Sequence, residues 1–451
     1  MPKVSGSDSD AGKKRAISDA AGVSSASMEK IGTFASLRIP NFRLLLVGTV
    51  LSNAAQWIQQ ITLSWLVYDL TGSGTMLGSI NMVRSVASLG MIPAAGVLVD
   101  RLNRRMLILI ENGWLFTITL VLGLALLFGH SNISYLFVFA FLGGMVQTVD
   151  VTLRQVLIFD LVPRSLAPNA VALIQTGWSL MRVSGPALGG FFILWFGPGG
   201  NFLVQAGAYA LIAITIIQIK FPARKSDVVR SSPFQNIQEG IHYVAKERVT
   251  RTFMLMGVIM PLLTIPIFSI LPPIYAVEVF GDESGRVLGF LMASVGVGGI
   301  VGGVVTASLG RVEHRGLLQL ASLFLLSLSL IAFAFSSMLL VALLLLALAG
   351  FFEIIFLATN QTLLQLSIPN NIRGQVTSIV NLSMAVSPLG GLLAGVGSDL
   401  LGGPKMITII LASIAAGIAV FVFLVSPTVR NYRLSQAIAS DSAGTSAGSS
   451  P

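Results

Sequence analysis

Five ionisable side chains, Arg84, Glu111, Asp150, Arg182 and Glu353, stand inside long runs of apolar residues. A charge held at the centre of a hydrocarbon layer costs ~2.5 kcal/mol or more on insertion scales, so each needs a partner or a task. At about 1.5 Å per helical residue, Glu353 and Arg182 lie deepest, roughly 13–17 Å from the more basic end of their runs. Asp150 and Glu111 lie roughly 8–10 Å in by the same count. An acid in a dry cavity can bind and release a proton, which makes Glu353 the first candidate for proton coupling and Asp150 the second. Arg154, four residues beyond Asp150, offers the alternative of a fixed ion pair. Arg182 reads as a brace on an acid. Arg84 reads as nearer the opposite end of its run, reaching the interface or pairing with Asp69.

Uncharged polar residues show a second pattern. Asn53, Gln56, Trp57, Gln60 and Ser64 follow i, i+3, i+4, i+7, i+11 and so share one helical face. A tryptophan among amides suits a large, partly aromatic molecule, while the plainer use of such a face is hydrogen bonding between helices.

The elements that carry these residues are long. Of 451 residues, 54% are hydrophobic and 10% charged, with a mean hydropathy of +0.84. Soluble domains carry about 25% charged residues. Apolar blocks near the ~20 residues that cross a bilayer recur throughout. They place spans at about 44–68, 75–99, 106–128, 133–157, 171–195, 202–221, 252–277, 287–309, 316–336, 338–362, 376–398 and 406–426. The fold class is therefore all-α, a polytopic membrane protein of twelve transmembrane helices. Four prolines, Pro261, Pro266, Pro272 and Pro273, predict a bent seventh span, because each removes a backbone donor.

The net charge of +9 is distributed by topology. Of the 28 lysines and arginines, 24 fall in tails and connections on one side of the spans, against Arg286 and Lys405 on the other. The positive-inside rule then puts both termini in the cytoplasm of a cell membrane and leaves no basic groove for nucleic acid. There is no cysteine, which excludes disulfides and thiolate metal sites. His130, His242 and His314 are too scattered for a metal centre, and no cofactor is implied. No phosphate-binding G-x-x-x-x-G-K-[ST] loop and no nucleophile–histidine–acid set occurs, so nothing points to an enzyme.

Residues 1–40 and the tail from 429 to 451 are polar and low in aromatics, as disordered segments are. Between two six-span bundles, 41–221 and 251–428, lies a loop at 222–250. In it Phe234, Ile237, Ile241 and Val244 form one apolar face, as in a helix lying on the membrane surface. The bundles are related: SGTMLG at 73–78 matches SGRVLG at 284–289, and GPALGG at 185–190 is echoed by SPLGG at 387–391. RQVLIFDLVPRSL at 154–166 matches NQTLLQLSIPNNI at 360–372, and the same offset pairs Gln147 with Glu353. Such duplication, here giving pseudo-two-fold symmetry, marks rocking transporters with a midplane site.

Between the second and third spans, Gly96-Val97-Leu98-Val99-Asp100-Arg101-Leu102-Asn103-Arg104-Arg105 resembles the major facilitator pattern G-x-L-x-D-R-x-G-R-R. Asn103 stands where glycine is usual, and asparagine tolerates a left-handed turn. The resemblance implies a cytoplasmic gate of Gly96, Asp100, Arg101, Arg104 and Arg105. Asp100 would face the start of the eleventh helix, and Arg104 would complete the latch on Asp150 or Asp160. Arg311 replaces the aspartate in the second half, which leaves the first half as the working gate. Arg182 with Gly185-Pro186-Ala187-Leu188-Gly189-Gly190 is similar to the antiporter motif. Gly185 and Gly189 suit close helix packing, and Pro186 permits a bend.

Leu66-Val67-Tyr68-Asp69-Leu70-Thr71-Gly72-Ser73, Asp160-Leu161-Val162-Pro163-Arg164 and Glu239-Gly240-Ile241-His242-Tyr243-Val244 resemble the enterobactin-exporter and macrolide-efflux branch. That family surrounds its cavity with helices 1, 4, 7 and 10, so Asn53, Gln56, Trp57, Gln60, Gln147 and Glu353 would bind cargo. The function so implied is export of a small amphipathic molecule, a drug or siderophore, by alternating access with proton antiport, from a monomer in the bilayer. A proton-coupled importer or facilitator of a nutrient is the alternative; the fifth-helix motif speaks against it.

Overall fold

The computed structural model describes residues 34–163, 165–219, 221, 242, 246–308, 313–368 and 386–432. Among the described residues, twelve long helices make up the two halves. In the first half they are α1 (Pro40–Thr71), α2 (Gly74–Arg101), α3 (Arg104–Leu127) and α4 (Ile133–Leu161). The continuous stretch Ala167–Gln218 breaks at Gly197, whose backbone sits at φ 67° and ψ 175°, into α5 (167–196) and α6 (198–218). The second half holds α7 (Arg248–Val279), α8 (Arg286–Ser308), α9 (Arg315–Phe335), α10 (Leu339–Leu366), α11 (Ser387–Leu400) and α12 (Pro404–Val425).

Local chemistry sets the turns. Gly72, at φ 57°, ends α1, and the Ser73 hydroxyl accepts from Met76 N to start α2. Left-handed backbone of that kind costs glycine little. Asn103 corrects an expectation: its φ is −66°, and its side chain accepts from Arg105 N and Met106 N. It is the N-cap of α3, where asparagine is among the preferred residues. The prolines of α7 interrupt its regular α ladder. The helix passes through π turns at Met260–Thr264 and Tyr275–Val279, because each proline removes a bond from the α ladder.

Among the described residues, nine helices are long and apolar enough to cross a membrane by composition. The 32-residue α1 is long enough but is diluted by its own amides. Large apolar side chains such as Phe128, Val304 and Leu400 stand exposed around the bundle, as a lipid-facing surface requires.

The first half packs a core of its own. Phe42, Leu45, Ile108, Leu153 and Ile212 fill part of the first half. A second, larger core belongs to both: Trp65, Tyr68, Leu77 and Ile80 pack in one cluster with Ile274, Tyr275, Leu288 and Leu291. All of these lie towards the end that carries few basic residues, here the base-poor end. The apolar face of the central loop, residues 1–33 and 433–451 of the tails and Arg311 lie outside the described residues. Ala35–Arg38, expected in a disordered tail, instead form a short 3-10 helix in which Ser36 N donates to Asn169 Oδ1 at 3.0 Å.

Candidate functional site

At the base-poor end the halves meet backbone to backbone. A Cβ on Gly190 of α5 would stand 2.2 Å from Gly289 Cα of α8. One on Gly395 of α11 would stand 2.1 Å from the Gly74 carbonyl oxygen of α2. Only hydrogen fits at such crossings. The repeated sequence motifs therefore meet one another: SGTMLG lies on the helix of SPLGG, and GPALGG on that of SGRVLG.

Side chains fasten the same end. Asp399 of α11 accepts from the Ser73 hydroxyl at 2.7 Å, Gly74 N at 2.7 Å and Thr75 N at 2.9 Å. A carboxylate there satisfies the orphan donors and the positive end of the α2 dipole. Tyr68 of α1 donates to Glu278 of α7.

Below this seal lies a two-lobed cavity between the halves. One lobe, of 360 Å³, is lined by Asn81, Arg84, Ser85 and Ser88 of α2, Gln147 of α4, and Ser387 and Pro388 of α11. The other, of 260 Å³, is lined by Trp178, Arg182 and Pro186 of α5, Met292 of α8, and Glu353 and Leu357 of α10. Trp57 and Gln60 of α1 and Ile265 and Ser269 of α7 line both. The first lobe is amide- and hydroxyl-rich; the second is aromatic and aliphatic around an ion pair. Gly185 and Gly189 make room for α1, since a Cβ on Gly185 would press on Trp57 at 2.5 Å. The antiporter-like motif thus fixes the tryptophan that divides the lobes.

Two polar systems cross the cavity wall. Arg182 donates to Glu353, joining α5 of one half to α10 of the other. Glu353 is 7% exposed. Within the first half, Arg84 donates Nε and Nη2 to Gln147 Oε1 at 3.1 and 2.8 Å, and Nη1 to Gln60 Oε1 at 3.5 Å. Gln147 Nε2 donates to Gln56 Oε1 at 3.0 Å, and Gln56 Nε2 reaches Ser52 Oγ at 3.5 Å. Ser52 Oγ donates to Asp150 Oδ2 at 3.2 Å, and Arg154 Nε donates to Asp150 Oδ1 at 2.5 Å.

The structure thus brings Trp57, Gln60, Gln147 and Glu353 to the cavity. Gln56 stands behind Gln147 and reaches it by a hydrogen bond. Asn53 lines neither lobe, and Ser64 is buried. Of the expected face only Trp57 and Gln60 reach the cavity, and Ser64 lies at the level where the two halves already touch. Arg84 is a second correction. It closes the third turn of α2 and points at Gln147 rather than at Asp69 or the interface, because two amide oxygens there satisfy its fork.

At the basic end, Arg104 pairs with Asp160 and not Asp150. Arg105 Nη2 donates to the Ile217 carbonyl oxygen at 3.0 Å. Asp100 and Arg101 are exposed, and a Cβ on Gly96 would meet nothing within 4 Å. The start of the eleventh helix, which Asp100 was expected to face, lies outside the described residues. Arg84, Trp178 and the α2 serines were missed as cavity residues. An arginine ten residues into a span was the available signal, since a charge at that depth is functional by default. Among the described residues no group of three or more histidines and acids could hold a metal.

The sequence profile of a family described as transmembrane secretion effector matches residues 31–445. The multidrug efflux pump Tap of Mycolicibacterium fortuitum is 27% identical over 80% of this chain and 89% of its own. The staphyloferrin A transporter of Staphylococcus aureus is 26% identical over 82% and 92%. Among solved structures, a bacterial homologue of the human lysosomal transporter Spinster, inward-facing and unoccupied, superposes with a TM-score of 0.67 at 14% identity. That match covers 87% of this chain and 98% of the other.

Proposed function

Because the chain belongs to the transmembrane secretion effector family of major facilitator transporters, we propose that it exports a small amphipathic organic compound by proton antiport. Relatives named for a multidrug pump and a siderophore transporter support that cargo class. The moving bodies are the bundles 41–221 and 251–428. The excess of basic residues at one end supports cytoplasmic termini in the cell membrane. A complete cavity within one chain supports a monomer as the working unit.

The observation that carries the mechanism is the Arg182–Glu353 pair, an ionic bond from one half to the other within the cavity wall. With the base-poor end sealed, cargo enters from the cytoplasm or inner leaflet, its aromatic part against Trp57 and Trp178 and its polar part towards Gln60, Arg84 and Gln147. The halves then rock, and Glu353 takes a proton from outside. A neutral Glu353 no longer holds the Arg182 guanidinium, so the contact between halves and the cargo site loosen together. Release of that proton to the cytoplasm restores the pair. Asp100, Arg101, Arg104 and Arg105 with Gly96 serve as the gate at the basic end.

Efflux of ethidium from energised cells tests this, comparing the parent with Glu353→Gln. Gradient-driven efflux should be lost while exchange down an ethidium gradient persists. Full energised efflux in the variant would remove Glu353 from the coupling role.

A further inference from the structure

A second buried acid is left unexplained by the cavity. Glu111 of α3 is 4% exposed and Asp150 of α4 is 2% exposed, and their carboxyl groups lie within hydrogen-bonding reach of each other. Asp150 has two donors, Arg154 Nε and Ser52 Oγ. Glu111 has Asn112 Nδ2 at 3.3 Å on one oxygen, and its other oxygen meets no donor among the described residues. Around the pair stand Arg154 of α4, Tyr209 of α6, and Arg84 of α2 further off. Thr49 of α1 accepts from Arg154 at 3.4 Å.

Two adjoining carboxylates that share the one adjacent guanidinium, Arg154, would leave a local net negative charge at the pair, because Arg84 is held by amides in the cavity wall. Like charges at such range do not both ionise, and an unpaired buried charge is costly. A proton on the open oxygen of Glu111 removes both faults, because the resulting hydroxyl donates to the Asp150 carboxylate. The site also communicates with the cavity. From Asp150 the hydrogen bonds run through Ser52, Gln56 and Gln147 to Arg84 in the cavity wall. Cargo that draws Arg84 away from Gln147 would loosen that chain at its cavity end.

We propose that Glu111 carries a proton against the Asp150 carboxylate, making this pair a second proton-binding site, in the amino-terminal half, that cargo reaches through the Arg84–Gln147 chain. Its part in transport rests on the proton-antiport reading; its existence does not.

Infrared spectroscopy of the purified full chain in dodecyl maltoside, which has no ester carbonyl, tests the site directly. At neutral pH the parent should show the C=O stretch of a protonated buried carboxyl. Glu111→Gln should lose it, while Glu353→Gln keeps it. Asp150→Asn should lose it as well, because Glu111 then ionises to balance Arg154. Glu111→Gln preserves shape and donor, so it should elute and melt like the parent. A band that survives both Glu111→Gln and Asp150→Asn overturns the site, and one lost only in Asp150→Asn overturns the assignment to Glu111. In everted vesicles, energised ethidium transport by Glu111→Gln should fall several-fold with passive exchange intact. Unchanged energised transport would overturn the coupling role of the pair. Parent transport insensitive to collapse of the pH gradient would overturn proton antiport instead, leaving the infrared result to stand.

Discussion

The guanidinium of Arg84 grips one amide oxygen with two donors and touches a second amide, yet it remains part of the cavity wall. Hydrogen bonds to a charged group contribute about 1.5–3 kcal/mol where they are made, and each 1.4 kcal/mol is roughly tenfold in affinity. Arg84→Ala should therefore raise the concentration of a carboxylate-bearing dye, whose oxygens can accept from the guanidinium, for half-maximal efflux by roughly ten- to a hundred-fold, at parental protein levels. Concentration-dependent efflux rates measure this, and an unchanged value would mean that Arg84 serves structure alone. Its identity as an intramembrane arginine was plain in the sequence. Its partner was not, because Gln147 is 63 residues away on another helix. The same holds for Arg182 and Glu353, which are 171 residues apart.

Among the elements, α5 is the one on which both packing and gating converge. Gly185 and Gly189 hold it against α1, and Gly190 lets it touch α8. Any side chain at 190 meets backbone, which cannot rotate away as a flexible side chain would. Gly190→Val should open the base-poor end. The chain has no native cysteine, so spin labels on Ser131→Cys and Lys405→Cys report one distance without background. That distance should lengthen in the Gly190→Val background, and an unchanged distribution would show that the crossing tolerates the added methyls. That the glycines pack was legible from their four-residue spacing. Which helices they pack against came from the fold, as did the pairing of the duplicated motifs with each other.

For the whole molecule, charge asymmetry supports the proposed orientation of the chain. A basic loop is retained on the cytoplasmic side because moving it across the membrane is unfavourable. A membrane-impermeant maleimide should label His314→Cys in everted vesicles and Lys405→Cys in intact cells. The reverse pattern would invert the transport direction assigned here.

The sequence by itself determined the class of molecule. Runs of ~20 apolar residues need no partner to declare a span, the positions of 28 basic residues carry the proposed topology, and helical period put the polar residues of α1 on one face. It also named the five charged residues deep in the apolar runs, Arg84, Glu111, Asp150, Arg182 and Glu353, since the cost of a buried charge is a property of the residue and its surroundings in the chain. Tertiary structure decided how those residues combine. It set the level at which the halves close, leaving Ser64 buried and Trp57 in the cavity. It turned Arg84 inwards and placed Glu111 beside Asp150. Helical period fixes direction on one helix, but contacts between helices depend on their tilt, rotation and depth. Those are set by packing against neighbours distant in sequence.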